Sequence, residues 1–309
     1  MRVLAHIHTF NDADVIDRSI EAVLRQTRPV DGIVVVDNAS TDGILERPSL
    51  KNTTVLRNPE NLGASGAVAT GLRFALEQDY DWIWILDSDS IPEPDALEKL
   101  LDLYTGWPES LQDQTAFLAC QPRSWSDGQP AHGEIFTRRG IDIAWPPPDK
   151  RYYPVHAVIW SGCLYRLAAV RQIGFPNLNY FMDGGDRAYG YRVMRAGYKG
   201  FIHQDAVLRQ NIRGPVSFKP VKRKLGPFIV TFFEIPPLRC YYACRNALYF
   251  ALYDYDLAEG RSRLVLRTVL GLARLTANFV LRPWGHGAQI LACFRGLWHG
   301  VTGNVVARY

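Results

Sequence analysis

Short, continuous apolar runs alternate with amphipathic stretches over the first hundred residues. An amphipathic helix is expected from about Ile16 to Gln26, and another after the glycine-rich segment NPENLGASGA. Strands that alternate with helices predict an α/β fold with a mostly parallel central sheet, whose ligands bind at the carboxyl ends of the strands. The runs typical of buried strands are RVLAHIH, GIVVVD, TTVLRN and DWIWIL.

The pattern becomes less regular after about residue 112. TAFLACQPR and YYPVHAVIWSGCLYR predict further strands, separated by a long loop rich in Pro, Trp and Arg. NYFMDGGDRAYGYRVMRAGYKG predicts a loop leading into a helix, and FIHQDAVLRQN predicts a last strand. We therefore expect an α/β domain over 1–215, with halves at 1–100 and 101–215, followed by a linker and a basic helical tail over 216–309.

Composition narrows the class of protein. The chain has 309 residues, of which 47% are apolar, and its net charge of +4 is too small to indicate nucleic acid as a partner. No run of 18 apolar residues predicts a membrane-spanning helix, and the start MRVLAHIHTFND is too short and too polar for a signal peptide. Five cysteines without paired spacing favour reduced thiols and a cytoplasmic location.

The segment DSDS raises the sharpest question about chemistry. Asp87 and Asp89 follow a buried strand, and Pro92 prevents that strand from continuing. Two carboxylates at i and i+2 on extended backbone point the same way and repel each other, which predicts a compensating cation. The alternative is a helix cap, because Asp and Ser are good N-cap residues, but a cap explains only one of the two carboxylates.

Other predicted strands also end in polar residues. Thr9 and Asn11 follow the first strand, and Asp37 and Asn38 follow the second. In a parallel sheet these ends line one crevice, where Asp37 and Asn38 would hydrogen-bond a base edge or a ribose. An Asx turn is the alternative for this segment, and we favour it for Asp42.

A glycine-rich turn precedes the second helix. Asn61 and Gly63 begin it, and the small residues there let the backbone approach a nucleotide closely. Tight packing of the helix against a neighbouring element would require the same small residues.

Four segments in order resemble the nucleotide-sugar half of family 2 glycosyltransferases of the GT-A type, and a fifth resembles the acceptor half. The match is closest to bacterial rhamnosyltransferases and galactofuranosyltransferases, and the tail segments RCYYACRNALYF and ACFRGLWHGVTGN resemble the same subgroup. The QxxRW element of processive synthases is absent. The five segments are HTFNDADVIDRSIEAVLRQT, IVVVDNASTDG, NLGASGAVATGL, WIWILDSDSIPEPDALEKL and SGCLYRLAAVRQIGFPNLNYFMDGGDRAYGYRVMRAGYKG.

The resemblance implies a GT-A nucleotide-sugar-binding fold with a C-terminal helical extension and a metal site. Asp87 and Asp89 stand at the family's DxD element, where Mn or Mg would bridge the phosphates of a UDP- or dTDP-linked sugar. Asp89 is the better candidate for direct ligation of the metal, whereas Asp87 is also a candidate for contact with the ribose of the donor. Asp186 stands at the position of the catalytic base of an inverting transfer, although it would also suit a helix cap.

Further positions follow from the same match. Trp160, Asp183 and Arg187 are expected near the acceptor: Trp160 as a stacking surface or as a core residue, Asp183 as an orienting neighbour, and Arg187 as a contact for an anionic group. The chain lacks the second acidic residue that many relatives place after the base. It also lacks the usual histidine near the end of the last strand, which leaves Gln210 and His203 as open candidates for a third metal ligand.

We therefore expect transfer of one sugar, rhamnose or galactofuranose, to a saccharide or a lipid-linked saccharide in cell-envelope glycan synthesis. The alternative is a non-catalytic nucleotide-sugar-binding protein. Residues 260–309 contain seven Arg and no Asp or Glu. This basic, amphipathic composition predicts peripheral binding to an anionic membrane surface, at the inner face of the plasma membrane, with helix packing or a homo-oligomer contact as the alternative.

Overall fold

The structure is a computed structural model that describes residues 1–125, 127–210, 219–225, 228–280 and 286–305. The strands are β1 (Val3–Thr9), β2 (Gly32–Asp37), β3 (Thr54–Arg57), β4 (Trp82–Asp87), β5 (Ser90–Pro92), β6 (Thr115–Ser124), β7 (Gly133–Thr137), β8 (Gly140–Ala144), β9 (Tyr152–Val155), β10 (Cys163–Arg166), β11 (Lys199–Gln210), β12 (Lys219–Leu225) and β13 (Phe228–Glu234). The α-helices are α1 (Ile16–Leu24), α2 (Gly63–Glu77), α3 (Ala96–Thr105), α4 (Glu109–Gln114), α5 (Leu167–Ile173), α6 (Gly185–Arg195), α7 (Pro237–Tyr249), α8 (Ala258–Val280) and α9 (Gly287–Thr302).

The chain divides into two compact units. The first comprises residues 1–135, 142–178 and 185–211, and the second comprises residues 136–141, 179–184 and 212–309. The predicted domain boundary at residue 215 lies outside the described residues, so it stays a prediction.

A nine-stranded sheet organises the first unit. Eight strands run in the order β3-β2-β1-β4-β10-β6-β11-β5, and β9 pairs with β11. The strands β1 to β4 are mutually parallel, as are β6 and β11, whereas β10 is antiparallel to both of its neighbours. The prediction of an α/β fold with a mostly parallel central sheet is confirmed.

Both faces of this sheet are covered, which explains the continuous apolar runs in the sequence. Ile83 and Ile85 of β4 belong to an apolar cluster that includes residues of α2, α5 and α6. Trp82 and Trp84 alternate with them and belong to a second cluster that includes residues of α1 and α3. Because side chains alternate along a strand, one apolar run supplies both cores.

The structure differs from the sequence expectations in three segments. The segment YYPVHAVIWSGCLYR forms two strands, β9 and β10, because Gly162 adopts a left-handed backbone conformation (φ 86°) just before β10. The predicted loop between β6 and β9 contains the hairpin β7–β8, and the predicted linker contains the hairpin β12–β13. Neither hairpin was predicted from the sequence.

The second unit contains the expected C-terminal helices. Its apolar core is formed mainly by α7 and α9, and small residues of α9 allow the two backbones to approach closely. A Cβ atom on Gly296 would lie 2.4 Å from the carbonyl oxygen of Tyr241. Among the helices of the described residues, none has the length and apolar character needed to cross a bilayer.

Candidate active site

The carboxyl ends of four parallel strands lie side by side in the first unit. The register pairs Thr9 of β1 with Asp37 of β2, and Asp37 with Arg57 of β3. On the other side of β1, His8 pairs with Asp87 of β4. The polar residues that end the predicted strands therefore lie along one edge of the sheet, as expected for a ligand site in an α/β fold.

Asp87 is held from three sides. Its Oδ1 lies 3.1 Å from Nε2 of His8, and its Oδ2 accepts a 3.4 Å hydrogen bond from Nε2 of Gln210. Its backbone N–H donates to the hydroxyl of Ser161, 3.2 Å away, in the turn before β10. These contacts fix the direction of the Asp87 carboxylate at the end of β4.

Asp89 lies in a site of excess negative charge. Burial first, and then the carboxylates of Asp87 and Asp12, raise its pKa to about 7, against smaller lowering effects of its own backbone and of His8. A cavity of about 420 Å³ opens beside Asp89. A cation at this position would relieve the repulsion that raises the pKa.

Asp37 is fully buried at the centre of the strand ends. Its Oδ1 accepts a 3.0 Å hydrogen bond from the backbone N–H of Ser40, a turn contact of the kind given as the alternative for this segment, whereas the favoured role of Asp37 in ligand binding stays a prediction. Its Oδ2 lies 3.4 Å from Nη1 of Arg57 but has no hydrogen-bond partner among the described residues. The hydroxyl oxygen of Thr9 and Nδ1 of His8 are also buried without a partner in this part of the chain.

Asn38 is engaged within the protein. Its Nδ2 donates to the carbonyl oxygen of Gly63 at 3.1 Å, and its Oδ1 accepts from Nδ2 of Asn58 at 2.7 Å. These bonds tie the end of β2 to the start of α2. The side chain of Asn38 therefore already has protein partners. Its predicted role in donor binding stays a prediction.

The remaining predicted donor residues lie in the turns at the same edge. Asn11 adopts a left-handed conformation (φ 57°), and its Oδ1 accepts a 2.8 Å hydrogen bond from the backbone N–H of Thr41. Asn61 caps the glycine-rich turn, because its Oδ1 accepts from the N–H of Gly63 at 2.9 Å. Gly63 has a φ of 71°, a value that favours glycine at this position.

Asp186 lies in the first turn of α6, and the residue before it packs tightly into the first unit. A Cβ atom on Gly185 would lie 2.3 Å from Oγ of Ser65 and 2.9 Å from the ring of Trp160. The start of α6 therefore lies against α2 and against the turn that holds Asp87. The pKa of the Cys163 thiol is raised well above its usual value by burial, then by Cys120, Asp186 and Asp87, so both carboxylates act on one buried group.

Two predicted acceptor residues have protein partners in the first unit. Arg187 forms a bidentate ion pair with Glu134, with a 2.8 Å bond from Nε and a 2.5 Å bond from Nη2. Trp160 is only 6% exposed and belongs to the apolar core, so its burial supports the packing alternative. The acceptor roles of both residues stay predictions.

Asp183 belongs to the second unit, where it forms an ion pair with Arg239 at 3.0 Å. It has a left-handed backbone (φ 58°), and its carbonyl oxygen accepts a 2.7 Å hydrogen bond from Nδ2 of Asn246. These contacts hold the loop 179–184 within the second unit, and the orienting role expected of Asp183 stays a prediction. A contact with acceptor stays a prediction.

The two candidates for a third metal ligand lie at different places on β11. Gln210 hydrogen-bonds Asp87 at the end of the strand. His203 is 3% exposed and its Nδ1 accepts from the N–H of Asp205, 3.1 Å away. His203 is separated from Gln210 by about 20 Å of extended chain, at ~3.3 Å per residue, so it is not a ligand at the strand ends.

Sequence reasoning missed several residues at this edge. His8 and Asp12 flank the first strand end, and a signal for them existed, because a histidine at the end of an apolar strand is unusual. Ser161 and Glu134 had no comparable signal, since their partners Asp87 and Arg187 are distant in sequence.

Comparisons with known proteins agree with the fold and identify the family. The family model for glycosyl transferase family 2 matches residues 5–174. Galactofuranosyltransferase GlfT1 of Mycobacterium tuberculosis (strain H37Rv) is 27% identical over 226 residues, which is 71% of this chain and 73% of that protein. Undecaprenyl-phosphate mannosyltransferase of Micrococcus luteus is 27% identical over 244 residues, covering 76% of this chain and 82% of that protein.

Solved structures share the GT-A fold at low sequence identity. S. aureus TarS 1–349 in complex with UDP-GlcNAc has a TM-score of 0.56 and 15% identity, covering 99% of this chain and 83% of that one. GalNAc-T7 with UDP, GalNAc and Mn²⁺ has a TM-score of 0.57 and 14% identity, covering 68% of this chain and 44% of that one. With more than half of its length matched by the family model, the chain belongs to glycosyl transferase family 2 and is a glycosyltransferase.

Proposed function

We propose that this glycosyltransferase transfers one sugar, with inversion, from a nucleoside-diphosphate sugar to a saccharide or lipid-linked saccharide in cell-envelope glycan synthesis. The observation that carries the proposal is a set of polar groups at the strand ends, two of them buried without a hydrogen-bond partner and two of them mutually repelling. The Asp37 Oδ2, the Thr9 hydroxyl and the repelling carboxylates of Asp87 and Asp89 lie along one edge of the sheet. Buried polar groups are normally paired, so this edge favours a polar, anionic ligand that arrives with a cation.

Asp37 is proposed to recognise the base. Its buried Oδ2 is an acceptor, and a uracil or thymine ring offers an N–H donor to it. The two bases differ by one methyl group, so the carboxylate itself does not distinguish UDP from dTDP. UDP receives support from the solved TarS and GalNAc-T7 structures, which contain it or a UDP-sugar.

Asp87 and Asp89 fit a hard divalent cation, Mn or Mg, because both are carboxylates in an excess of negative charge. Among the described residues, no three His, Cys, Asp or Glu side chains are arranged as a ready-made metal site. The protein would thus supply part of the shell and the donor diphosphate the rest. The cation would supply charge stabilisation for the leaving diphosphate.

Asp186 is proposed as the general base. It would accept the proton of the acceptor hydroxyl as that oxygen attacks the anomeric carbon. The packing of Gly185 against Ser65 and Trp160 fixes the backbone that presents it. Helix capping and the role of general base do not exclude each other at this position.

Galactofuranose is the favoured sugar, since the similar protein GlfT1 is a galactofuranosyltransferase. Rhamnose from a dTDP donor is the alternative and is kept as an arm of the test. A lipid-linked acceptor is supported by similarity to an undecaprenyl-phosphate mannosyltransferase. The alternative function is a nucleotide-sugar-binding protein without catalytic activity. The presence of Asp186, the proposed base, argues against this alternative.

A thermal-shift screen of nucleotide-sugars tests donor binding. We expect UDP-galactofuranose or dTDP-rhamnose to raise the melting temperature with Mn²⁺ present and to have little effect without it, since a ligand of the native state stabilises it. A donor that raises the melting temperature as much in chelator as with Mn²⁺ would contradict the metal-dependent donor site.

The helix α9 supports the proposed membrane contact. Four large apolar side chains form one outward stripe on it, and all are more than half exposed. The opposite face is also apolar, with small buried residues that pack in the core of the second unit. The stripe residues are Leu291, Phe294, Trp298 and Val301.

Arg263, Arg267, Arg274 and Arg295 lie on α8 and α9, within residues 260–309, which contain no acidic residue. An apolar stripe accompanied only by positive charge favours an anionic lipid surface over a soluble partner. We propose that α9 lies against the inner face of the cytoplasmic membrane, where a lipid-linked acceptor would be found.

We expect the full chain to sediment with liposomes of phosphatidylglycerol at low salt. The double variant Phe294→Ser with Trp298→Ser should stay in the supernatant, because it removes the largest apolar contacts of the stripe. The matched control is Leu24→Ser with Ile143→Ser, which are equally exposed positions in the first unit. Should the wild type ignore liposomes and instead sediment as a dimer that the stripe variant disrupts, the stripe is an oligomer contact and the membrane proposal is wrong.

A further inference from the structure

A second cavity, of about 350 Å³, lies in the first unit beside α3. Its wall includes Trp107, Tyr152 and His203. His203 and Gln210 belong to the same strand, and about 20 Å of extended chain separates them at ~3.3 Å per residue. The cavity is therefore separate from the strand ends that hold Asp87 and Asp89.

His203 offers this cavity a hydrogen-bond donor. The side chain is 3% exposed, and its Nδ1 accepts the backbone N–H of Asp205 at 3.1 Å. Because Nδ1 is an acceptor, the ring proton is on Nε2. No hydrogen bond to Nε2 is found among the described residues, and the ring lines the cavity, so this N–H is available to a ligand there.

The two basic groups around the cavity are already paired, and the remaining charged group, Asp102, is an exposed carboxylate. Nζ of Lys99 lies 2.7 Å from Asp95, and Nε of Arg151 lies 3.2 Å from Asp205. Burial lowers the pKa of His203, so its imidazole is neutral at physiological pH. An anion would find little uncompensated positive charge here, and a neutral ligand with many hydroxyl groups fits better.

Aromatic rings supply the other half of the recognition. Trp107 and Tyr152 line the cavity with their ring centroids 5.4 Å apart, and Trp107 also packs on Phe201 at 4.8 Å. Aromatic faces suit the C–H surfaces of sugar rings, while nearby polar groups bond the hydroxyls. The volume falls at the lower end of small-molecule sites, which span about 300 to 1,000 Å³.

We propose that this cavity is a second saccharide-binding site, which holds one or two neutral sugar units away from the strand ends. His203 Nε2–H donates to a sugar hydroxyl, and Trp107 and Tyr152 contact the apolar face of the ring. The proposal rests on the cavity itself and not on the donor or metal chemistry of the active site.

Saturation-transfer NMR with methyl β-D-galactofuranoside, methyl α-L-rhamnoside and methyl α-D-mannoside tests the site. The full chain is used first alone and then with saturating UDP and diamagnetic Mg²⁺, so that displacement of the glycoside by UDP is measured directly. We expect at least one glycoside to bind, and His203→Asn to weaken its binding about fivefold through loss of one hydrogen bond. Asparagine retains an acceptor for the Asp205 N–H while it removes the Nε2 donor.

Trp107→Ala should weaken binding of the same glycoside at least as strongly. Trp145→Ala is the control and should leave binding unchanged, because Trp145 is 60% exposed and lies outside this cavity. Thermal unfolding verifies each variant, and His203→Asn decides if Trp107→Ala does not fold. The proposal would be overturned if none of the three glycosides binds or if His203→Asn leaves their binding unchanged. It would also be overturned if UDP or inorganic phosphate displaces the bound glycoside. Sugar transfer measured separately with the same protein keeps that result distinct from the proposed function.

Discussion

Replacing Asp186 with Asn is expected to lower kcat by at least about a hundredfold, as loss of a general base does, while donor affinity and folding are retained. Asn has the same shape as Asp but does not accept a proton at neutral pH. Helix capping tolerates the exchange, because Asn is as good a cap as Asp, so the loss would report on chemistry and not on the stability of α6.

The control for this prediction is Asp183→Asn. Asp183 is the nearest acidic residue in sequence, but its carboxylate is bound to Arg239. We expect a smaller effect on kcat and a larger effect on KM or stability, because the change weakens an ion pair that orients the loop. If Asp186→Asn turns over at the normal rate while Asp183→Asn does not, the base is Asp183.

Asp89→Asn is expected to remove the metal dependence of donor binding. Titration of UDP with Mn²⁺ present should show a loss of at least about tenfold in affinity, because a neutral amide is a poor ligand for a hard cation. Affinity measured in chelator should be equal in the variant and the wild type. Asp95→Asn is the matched control, since Asp95 lies six residues further along and pairs with Lys99. Full Mn²⁺-dependent affinity in Asp89→Asn would exclude Asp89 from the metal site.

The raised pKa of Asp89 adds a pH dependence to that titration. In the metal-free protein Asp89 holds a proton below a pKa of about 7. A cation must displace this proton, so Mn²⁺-dependent affinity should fall by up to about tenfold per pH unit below 7 and be constant above it. The variant should lack this slope.

The same pKa affects stability in the opposite sense to a salt-bridged carboxylate. The folded protein binds the Asp89 proton more tightly than the unfolded chain, whose value is near 3.8. Stability is therefore lost as pH rises from 3.8 to about 7. Asp89→Asn should consequently melt at a higher temperature than the metal-free wild type at pH 8, and Mn²⁺ should narrow the difference.

Much of the fold followed from local pattern. The runs IVVV and WIWIL are apolar at every position because their strands are covered on both sides, and period-two burial places Ile83 and Trp84 in different cores. The carboxylates of Asp87 and Asp89 were identified from their position after a strand, since the ends of parallel strands share one edge. These features depend on neighbours in sequence.

The features that were missed depend on distant partners. Arg187 was expected to be available to an acceptor, but it is paired with Glu134, which is distant in sequence. Trp160 was a candidate for stacking, and only the packing of α6 and the sheet shows that it is buried. The proximity of Gln210 and His8 to Asp87 is a matter of strand order, which composition and periodicity do not specify.

The most direct measurement is sugar transfer itself. The full chain would be incubated with UDP-galactofuranose or dTDP-rhamnose, Mn²⁺ and a bacterial polyprenyl-lipid extract, and nucleoside diphosphate release and labelled sugar in lipid would both be measured. We expect one donor to give nucleoside diphosphate and labelled lipid in equal amounts. We expect Asp89→Asn and Asp186→Asn to form both products far more slowly than the wild type. If a donor binds in the thermal-shift assay but no nucleoside diphosphate is released with either donor, the result would contradict catalysis. It would favour a nucleotide-sugar-binding protein.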